Sequence, residues 1–496
     1  MPLPDADTAW PPPQLAPLNA EMRLDDAWYS GDRERLAEVY RSSEQRRHDG
    51  RRRLWGRARP RPGHDRQDGR LHIPLPADIA TTSADLLFSE PPVFTVPNAG
   101  TQARLDELTN AGGVANVLLD AAEVAAALGG VYLRVTWDRE LAARPILTSV
   151  HADCAVPEFR FNMLRAVTFW RELPTDAATG GTVLRHLERH EPGRILHALY
   201  EGTADRLGRR VPLTEHPETA PLADSLGAEG DSIETGLDQL TAAYVPNIRP
   251  NRRHRGSPFG RSDYQSAHDL FDALDETWSS WLRDIRLARA RLIVPDGYLR
   301  DHGPGRGASF DDDREIWQSL NIPPTEAGGS GITLSQFAIR VEEHERTVAT
   351  ITRQAVQLAG YSPQSFGIED DSARATATEV QDRWRKSLIT RDKKARYWPP
   401  LADMLHVMLL LDRQLFTPTL TVERPHVEFG DAVSESPQTV AQTLNLLAQA
   451  QAASVDTRVR ILHPDWTDEG IREEVERIQR ETGAAVPDPM QAGLLD

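Results

Sequence analysis

Two groups of side chains have residue types that bind metal ions, but their spacing argues against a shared site. His186 and His190 lie in TVLRHLERHEPGRILHALYEG, where the central Pro-Gly predicts the turn of a β-hairpin. Four residues apart on a strand, the two histidines would be separated by about 13 Å, too far for one ion. His151, Asp153 and Cys154 are too close together on an extended segment to converge on one ion. We therefore expect no metal site and no cofactor.

The acidic and glycine-rich clusters indicate little catalytic chemistry. Asp311, Asp312 and Asp313 could suggest a two-metal nuclease, but such enzymes draw their carboxylates from separate rigid elements, whereas these three are consecutive. The loop 303–307 lacks the preceding strand and the G-x-G-x-x-G spacing of a dinucleotide site, and no lysine follows a glycine, which excludes a P-loop. The sequence predicts a protein that is not an enzyme, with a DNA-processing nuclease using the three aspartates as the alternative.

Composition restricts the protein class further. The 496-residue chain has a net charge of −17, so any contact with DNA has to be local. A single cysteine, Cys154, excludes an intrachain disulfide and fits a reducing compartment. The longest apolar stretch, 404–411, is far shorter than the roughly 20 residues that span a bilayer, and the N-terminus shows no targeting signal. We expect no contact with a membrane.

Two long amphipathic helices are predicted in the centre of the chain. Apolar residues from Tyr264 onward recur at alternating spacings of three and four, which predicts a helix over 257–292 with one narrow seam. A capping box at Thr333 begins a second helix over 333–361 with the same repeat. The Gly- and Pro-rich excursion 293–332 joins them. We expect an antiparallel pair that carries a small module at its far end and lays its seams against neighbouring helices.

Two segments carry local positive charge. Residues 41–70 hold eleven arginines and four acids, and we interpret them as a solvated surface, with a patch for nucleic acid or an acidic partner as the alternative. Between Arg374 and Arg396, eight cations stand against three acids on a predicted helix that starts at Thr376 and breaks at Pro399-Pro400. This helix is the best candidate for a surface that faces DNA, although it would also fit pairing with acidic neighbours in the same chain.

The remaining chain is predicted to mix helices and strands. The pattern predicts a helix over 114–128 and a short strand over 420–429. Over 131–137, apolar residues alternate with polar ones, which predicts a half-buried strand with one buried and one exposed face. Two amphipathic helices, about 437–453 and 468–481, close the fold.

Five segments, in this order, resemble the portal proteins of tailed double-stranded DNA bacteriophages, especially the siphophage-type portals of actinobacterial phages. The match runs from about residue 22 to 480 and leaves out the Arg-rich stretch 41–63 and both tails. The segments are LHIPLPADIATTSADLLFSEPP (71–92), RHLERHEPGRI (185–195), GRSDYQSAHDLFDALDETWSSWLRDIRLARARLIVP (260–295), TATEVQDRWRKSLITRDKKARYW (376–398) and LHPDWTDEGIREEVERI (462–478).

The resemblance implies an α+β portal fold with an α/β wing, two long antiparallel stem helices, a small α/β clip module and a helical crown-like C-terminal part. Carried over by position, these parts are a flexible Pro-rich arm (1–20), the wing (21–256, and 377–433 with a kinked helix and a strand), stem helix 1 (257–292), the clip (293–332), stem helix 2 (333–361), the tunnel loop (362–376), crown-like helices (434–482) and a flexible tail (483–496).

The resemblance also implies a function and partners. Portals form a ring of about twelve subunits at one capsid vertex, through which DNA is packaged and ejected. The implied partners are further copies of the chain, double-stranded DNA, the terminase large subunit, the head-tail adaptor, and the major capsid and scaffolding proteins, in a virion assembled in the bacterial cytoplasm.

The candidate site residues follow from these parts. For the tunnel loop and DNA channel they are Glu369, Asp370, Asp371, Arg374, Arg385 and Lys386, of which we expect the three cations to contact DNA. For the stem interface between subunits they are Phe271, Leu274, Trp278, Trp281, Ile285, Phe337, Val341, Val348, Ile351 and Leu358. For docking of the motor or adaptor on the clip they are Tyr298, Arg306, Trp317 and Ile322.

Overall fold

The computed structural model divides the chain into two units, residues 1–430 and 431–496. The residues that it describes are 3–49, 70–174, 181–223, 226, 231–288, 291–293, 300–301, 308–309, 333–335, 339–368, 377–430, 437–463, 466 and 468–482.

In the first unit, most helices come before or after a long run of strands in the chain. Its helices are α1 (Ala16–Ser30), α2 (Arg33–Asp49), α3 (Leu75–Phe88), α4 (Ala99–Ala111), α5 (Val114–Leu128), α6 (Ala220–Ala223), α7 (His268–Leu287), α8 (Val341–Ala359), α9 (Ala377–Ala395) and α10 (Pro400–Leu415). Taken singly, none of the described helices is long and apolar enough to cross a bilayer, whereas α4 and α5, which meet at a 59° bend, pass that test together.

The strands form antiparallel sheets, which confirms the α+β class. The described strands are β1 (Val93–Thr95), β2 (Gly130–Trp137), β3 (Pro145–His151), β4 (Ala155–Arg160), β5 (Met163–Leu173), β6 (Val183–Glu191), β7 (Arg194–Thr203), β8 (Arg206–Val211), β9 (Ser232–Glu234), β10 (Ala242–Pro246), β11 (Arg291–Ile293), β12 (Arg300–Asp301), β13 (Ala308–Ser309), β14 (Thr333–Ser335) and β15 (His426–Glu428). The largest sheet has the order β4-β5-β6-β7-β8, with β9 on β7, and a second has the order β10-β2-β3. Small pairs join β1 to β15, β11 to β14 and β12 to β13.

Helix α5 lies at the centre of the first unit and confirms the helix predicted over 114–128. Its residues Leu118 and Ala122 belong to a core shared with α4, α10 and β2, while Ala126 belongs to a second core shared with α1, α3, α7 and α8. Small side chains on both faces let neighbouring helices approach closely. The helix ends at Gly129, whose φ of 84° favours glycine and where a Cβ would meet the Ser262 backbone nitrogen at 2.9 Å.

Strand β2 was expected to alternate between buried and exposed residues, but both of its faces are covered. Val131 and Leu133 point into the core formed with α5 and α10, and Tyr132 packs on the opposite side against Phe169 of β5. The strand is central in its sheet and lies between a helical layer and the large sheet, so period-two patterning understates its burial.

The hairpin predicted around Pro192-Gly193 is confirmed. Strands β6 and β7 pair from Val183↔Gly202 to Glu191↔Arg194, which leaves these two residues as the turn. Gly193 has a φ of 89°, as the tight connection requires.

The arm over residues 1–20 was predicted to be flexible, but its described part is docked. Residues 3–10 lie along β8: the Asp7 backbone N–H donates to the Gly208 carbonyl at 2.8 Å, and the Trp10 N–H donates to the Asp205 carbonyl at 2.9 Å. Trp10 is 3% exposed and meets the ring of Trp170 edge-on at 6.2 Å. Proline content indicated a lack of regular structure, but one large aromatic side chain is enough to anchor the segment on the sheet.

Both central helices are shorter than predicted. Residues 263–266 form a 3₁₀ turn capped by Ser262, and α7 begins only at His268. At the other end Leu292 pairs with Leu334 across β11 and β14, so the predicted capping box at Thr333 is in a strand instead, and α8 begins at Val341. A β-branched and apolar run satisfies its backbone by strand pairing as well as by helix formation, and the periodicity alone does not distinguish the two. Twenty residues in α7 give a length of about 30 Å.

The second unit contains three described helices, α11 (Pro437–Gln449), α12 (Val455–Leu462) and α13 (Asp468–Glu481). The first and last were predicted, whereas α12 was missed. Ser454 caps α12 by accepting a hydrogen bond from the Thr457 N–H at 3.2 Å. Val459 of α12 and Ile471 of α13 are the buried apolar contacts, and Arg460 bridges the two helices through Asp468 at 2.7 Å.

Candidate functional site: the helix pair and its base

Helices α7 and α8 pack against each other in antiparallel orientation, as predicted. At their base, Phe271 and Leu274 of α7 share a core with Ala355 and Val356 of α8. Phe271 is 1% and Leu274 2% exposed, so both side chains are occupied by packing within the chain. They were predicted to contact a neighbouring subunit, and this prediction is wrong for both because a side chain buried in its own subunit has no surface to offer.

Away from the base, aromatic and polar contacts replace the apolar core. Trp278 stacks on Trp281 at 5.1 Å, and Trp281 in turn stacks on His344 of α8 at 5.8 Å. Asp284 accepts hydrogen bonds from His344 Nε2 and Arg340 Nη2, each at 3.0 Å, and these two donors hold the pKa of its carboxyl below the usual value. These hydrogen bonds therefore hold α7 and α8 together beyond the apolar core.

Three apolar side chains of the predicted seams stay exposed. Ile285 is 45%, Val341 46% and Leu358 55% exposed, whereas Val348 and Ile351 are partly buried against the core. Leu358 lies at the edge of the buried face of α8, next to the buried residues Ala355 and Ala359. Among the described residues, no third helix covers these three positions.

The base of the helix pair is tied to α9 and α3 by a buried ion pair. Asp263 Oδ2 accepts hydrogen bonds from Lys394 Nζ at 2.6 Å and Tyr361 OH at 2.7 Å, while its Oδ1 accepts from Asn247 at 2.9 Å. Lys394 Nζ also donates to Ser83 Oγ at 2.6 Å. Burial lowers the pKa of Lys394, and the carboxylate of Asp263 opposes that effect. This Asp263–Lys394 hub joins the segments before α7 and after α8 to two other helices.

A second acidic anchor lies on α7 itself. Asp275 accepts hydrogen bonds from Tyr40 OH at 2.7 Å and from the Ile73 N–H at 2.9 Å, and it contacts His72 at 2.9 Å. Burial and the neighbouring carboxylate raise the pKa of Tyr40, so its hydroxyl keeps its proton and donates. Sequence analysis missed both anchors because their partners are separated by 131 residues for Asp263–Lys394 and 235 for Tyr40–Asp275.

Helix α9 confirms the basic helix and the break at Pro399-Pro400, but its cations are divided between two faces. Arg385, Lys386, Lys393 and Arg396 are exposed, whereas Lys394 is 1% exposed. Lys386 Nζ donates to the Gln357 carbonyl at 2.5 Å, in the last turn of α8, where a cation complements the helix dipole. Internal pairing with an acidic neighbour is therefore confirmed for Lys394, while a surface of this helix that faces DNA stays a prediction.

The remaining predicted site residues lie outside the described part of the chain. These are the tunnel-loop residues Glu369, Asp370, Asp371 and Arg374, the stem residue Phe337, the clip residues Tyr298, Arg306, Trp317 and Ile322, and the aspartates 311–313 with the loop 303–307.

His186 and His190 are buried in the large sheet, whereas Cys154 is half-buried in a short 3₁₀ turn between β3 and β4. His186 Nε2 lies 3.2 Å from His197 Nδ1 on the adjacent strand, and burial lowers the pKa of His186 to about 3. His190 contacts Glu188 at 2.9 Å and Thr241 at 2.6 Å. Burial raises the pKa of Cys154 to about 12, so its thiol stays protonated at neutral pH. The two histidines therefore serve as hydrogen-bonded interior residues of the sheet.

No family model and no curated protein matches the chain. Solved structures of phage-like particles are similar to it at low identity. One is described as "Virion of native gene transfer agent (GTA) particle", with 14% identity over 82% of this chain and 96% of that chain and a TM-score of 0.41. Another is "Neck of native GTA particle computed with C12 symmetry", with 14% identity over 79% and 89% and a TM-score of 0.38. At this similarity, function has to be argued from the chain's own residues.

Proposed function

We propose that the chain is the portal subunit of a tailed, double-stranded DNA phage or phage-like particle. It would assemble as a ring of about twelve copies at one capsid vertex in a virion put together in the bacterial cytoplasm, and DNA would pass through the ring. The function is that of a channel and docking platform with no catalytic step. Its further partners would be the terminase large subunit, the head-tail adaptor, and the capsid and scaffolding proteins.

The observation that carries this proposal is the incomplete helix pair. Ile285, Val341 and Leu358 project from α7 and α8 with about half of each side chain exposed. A closed ring covers such positions because each subunit offers the same pair to the next one. The five sequence segments that resemble portals include both the stem region and the basic helix, which supports the same assignment.

Leu358→Asp tests the ring. Covering one leucine at an interface contributes about 1.5–3 kcal/mol, and an aspartate there would bury a charge instead, so we expect the large species to be lost. The measurement is native mass spectrometry of the 55.3 kDa chain, supported by negative-stain images. The matched control is Leu141→Asp, because Leu141 is 78% exposed in the turn between β2 and β3, away from both helices.

Three outcomes contradict the proposal. One is a wild-type chain that stays monomeric over a wide range of concentrations. Another is assembly of Leu358→Asp to the same extent as Leu141→Asp. Cleavage of duplex DNA by the purified chain with Mg²⁺ or Mn²⁺ would favour the nuclease alternative.

A further inference from the structure

The loop that connects β10 to α7 carries a local excess of positive charge. Its residues 249–261, RPNRRHRGSPFGR, contribute five arginines and no acid to a chain with a net charge of −17. Such a local reversal of sign attracts an external anion where internal carboxylates do not pair with the arginines.

Internal carboxylates account for only part of this charge. Arg253 Nη1 lies 3.4 Å from Glu21 Oε1, and its other terminal nitrogen donates to the Gln265 carbonyl at 3.1 Å. Across the described residues, the structure shows no ion pair for Arg249, Arg252, Arg255 or Arg261. Arg252 and Arg255 are exposed, and Arg249 and Arg261 are half-buried. Burial and the nearby charge of Arg252 lower the pKa of Arg261, while the nearby carboxylate of Asp263 opposes this effect, so Arg252 and Arg261 are close enough to repel each other.

The loop is held in shape by a buried asparagine. Asn251 is 3% exposed; its Oδ1 accepts hydrogen bonds from the Arg253 and His254 backbone N–H groups at 3.1 and 3.2 Å, and its Nδ2 donates to the Gly260 carbonyl at 2.8 Å. The arginines therefore project from a fixed backbone, and less conformational entropy is lost when they bind a ligand.

A polar cavity of about 390 Å³ opens beside the loop. Its lining includes Asn162, Arg249, Ser257 and Tyr397 and contains no carboxylate. An amide, a hydroxyl, a phenol and a guanidinium are all hydrogen-bond donors, and together they suit an oxyanion with several acceptor oxygens. Tyr397 follows the exposed Arg396, which comes directly after α9, so the positive end of that helix lies close to the same cavity.

We propose that residues 249–261 and the cavity beside them form a phosphate-binding site that takes the phosphodiester backbone of nucleic acid. Several arginines along one loop fit a row of phosphates better than a single anion, because each guanidinium can pair with a separate group. This inference adds a binding site to the proposed function. It rests on that function for one point, namely that the nucleic acid is packaged double-stranded DNA.

The test is binding of a fluorescein-labelled 30-base-pair duplex, followed by fluorescence anisotropy between 50 and 200 mM NaCl. The variant is Arg252→Gln/Arg255→Gln, which changes two exposed side chains and should leave the fold intact. Each lost phosphate contact lowers the slope of log K against log salt by about 0.9, so we expect a decrease of about 1.8. The control is Arg139→Gln/Arg413→Gln, which removes the same charge from exposed positions elsewhere and should keep the wild-type slope.

Competitors identify the anion. Displacement of the duplex by pyrophosphate or inorganic phosphate, with the double variant insensitive to both, supports a phosphate site that also accepts free phosphate. Displacement by a longer duplex alone supports a site for the polymer. Binding of polyglutamate that depends on Arg252 and Arg255, without such dependence for the duplex, would overturn the proposal in favour of an acidic protein partner. Equal slopes for wild type and the double variant would also overturn it.

The two proposals fail in different ways. A chain that never forms a ring would still show duplex binding that depends on Arg252 and Arg255 if the phosphate site exists. If the chain forms a ring but its binding of the duplex does not depend on Arg252 and Arg255, the phosphate-site proposal is wrong and the portal proposal remains. Native mass spectrometry of the double variant separates these cases.

Discussion

The buried Asp263–Lys394 hub predicts a large effect from one substitution, Lys394→Met. Methionine keeps the length of the side chain, so a change in packing alone would cost less than about 1.5 kcal/mol. The lost ammonium, however, leaves the Asp263 carboxylate buried with only the donors Tyr361 and Asn247. Removing one partner of a buried ion pair typically costs about 3–5 kcal/mol, and we expect a loss of unfolding free energy in that range.

The measurement is urea unfolding followed by tryptophan fluorescence, with Lys393→Met as the matched control. Lys393 is the neighbouring residue and is exposed, so its substitution should change the free energy of unfolding by less than about 0.5 kcal/mol. Adding Asp263→Asn to Lys394→Met removes the unpaired charge, and the double variant should lose less stability than the two single variants together. If Lys394→Met unfolded at the same urea concentration as Lys393→Met, the hub would not hold the helices together.

Two further predictions concern the large sheet. Because the pKa of His186 is lowered to about 3 in the folded state, the unfolded chain binds more protons between about pH 3 and 6.5. Stability is therefore complete above pH 6.5 and decreases as the pH falls, by roughly 3 kcal/mol at pH 4.5. Urea midpoints of wild type and His186→Gln across this range check it, and a pH profile unchanged by His186→Gln, with exposed His426→Gln as the control, would disprove it. Trp10→Ala should release the docked arm at a cost of about 3–5 kcal/mol of local stability, seen as faster hydrogen exchange at the Asp7 and Trp10 amides. Unchanged exchange at both amides would show that Trp10 does not anchor the arm.

Much of the fold could be predicted from local patterns. Helix α5, the hairpin at Pro192-Gly193 and the break after α9 each depend on residues close in sequence, namely apolar periodicity, a turn dipeptide and a proline pair. The ends of α7 and α8 were misjudged because β11 and β14 pair across forty residues, and no local signal reports such a pairing. Docking of the arm also depends on a distant contact, between Trp10 and Trp170.

The candidate site was predictable in position but not in partners. The antiparallel pair was expected, yet its inner residues Phe271 and Leu274 proved to be core, while Leu358, at the edge of the buried face of α8, proved to be 55% exposed. Heptad spacing identifies an apolar stripe and leaves open which neighbour covers it. The anchors Asp263 and Asp275 carry no motif, since a buried aspartate is recognisable only when its donors are known.

Counting charges along the sequence identified the basic helix α9 and did not single out the loop 249–261. Helix α9 was chosen because eight cations faced three acids, but Lys394 pairs with Asp263 inside the hub and Lys386 is bonded to the end of α8. The loop has fewer cations, and in the part of the chain that the structure describes its Arg253 and His254 pair with one carboxylate, that of Glu21. A charge contributes to an external field when it is exposed and unpaired, and both conditions are tertiary properties. Among the residues that the structure describes, we therefore expect a polyanion to contact the exposed arginines of the loop together with the exposed cations of α9.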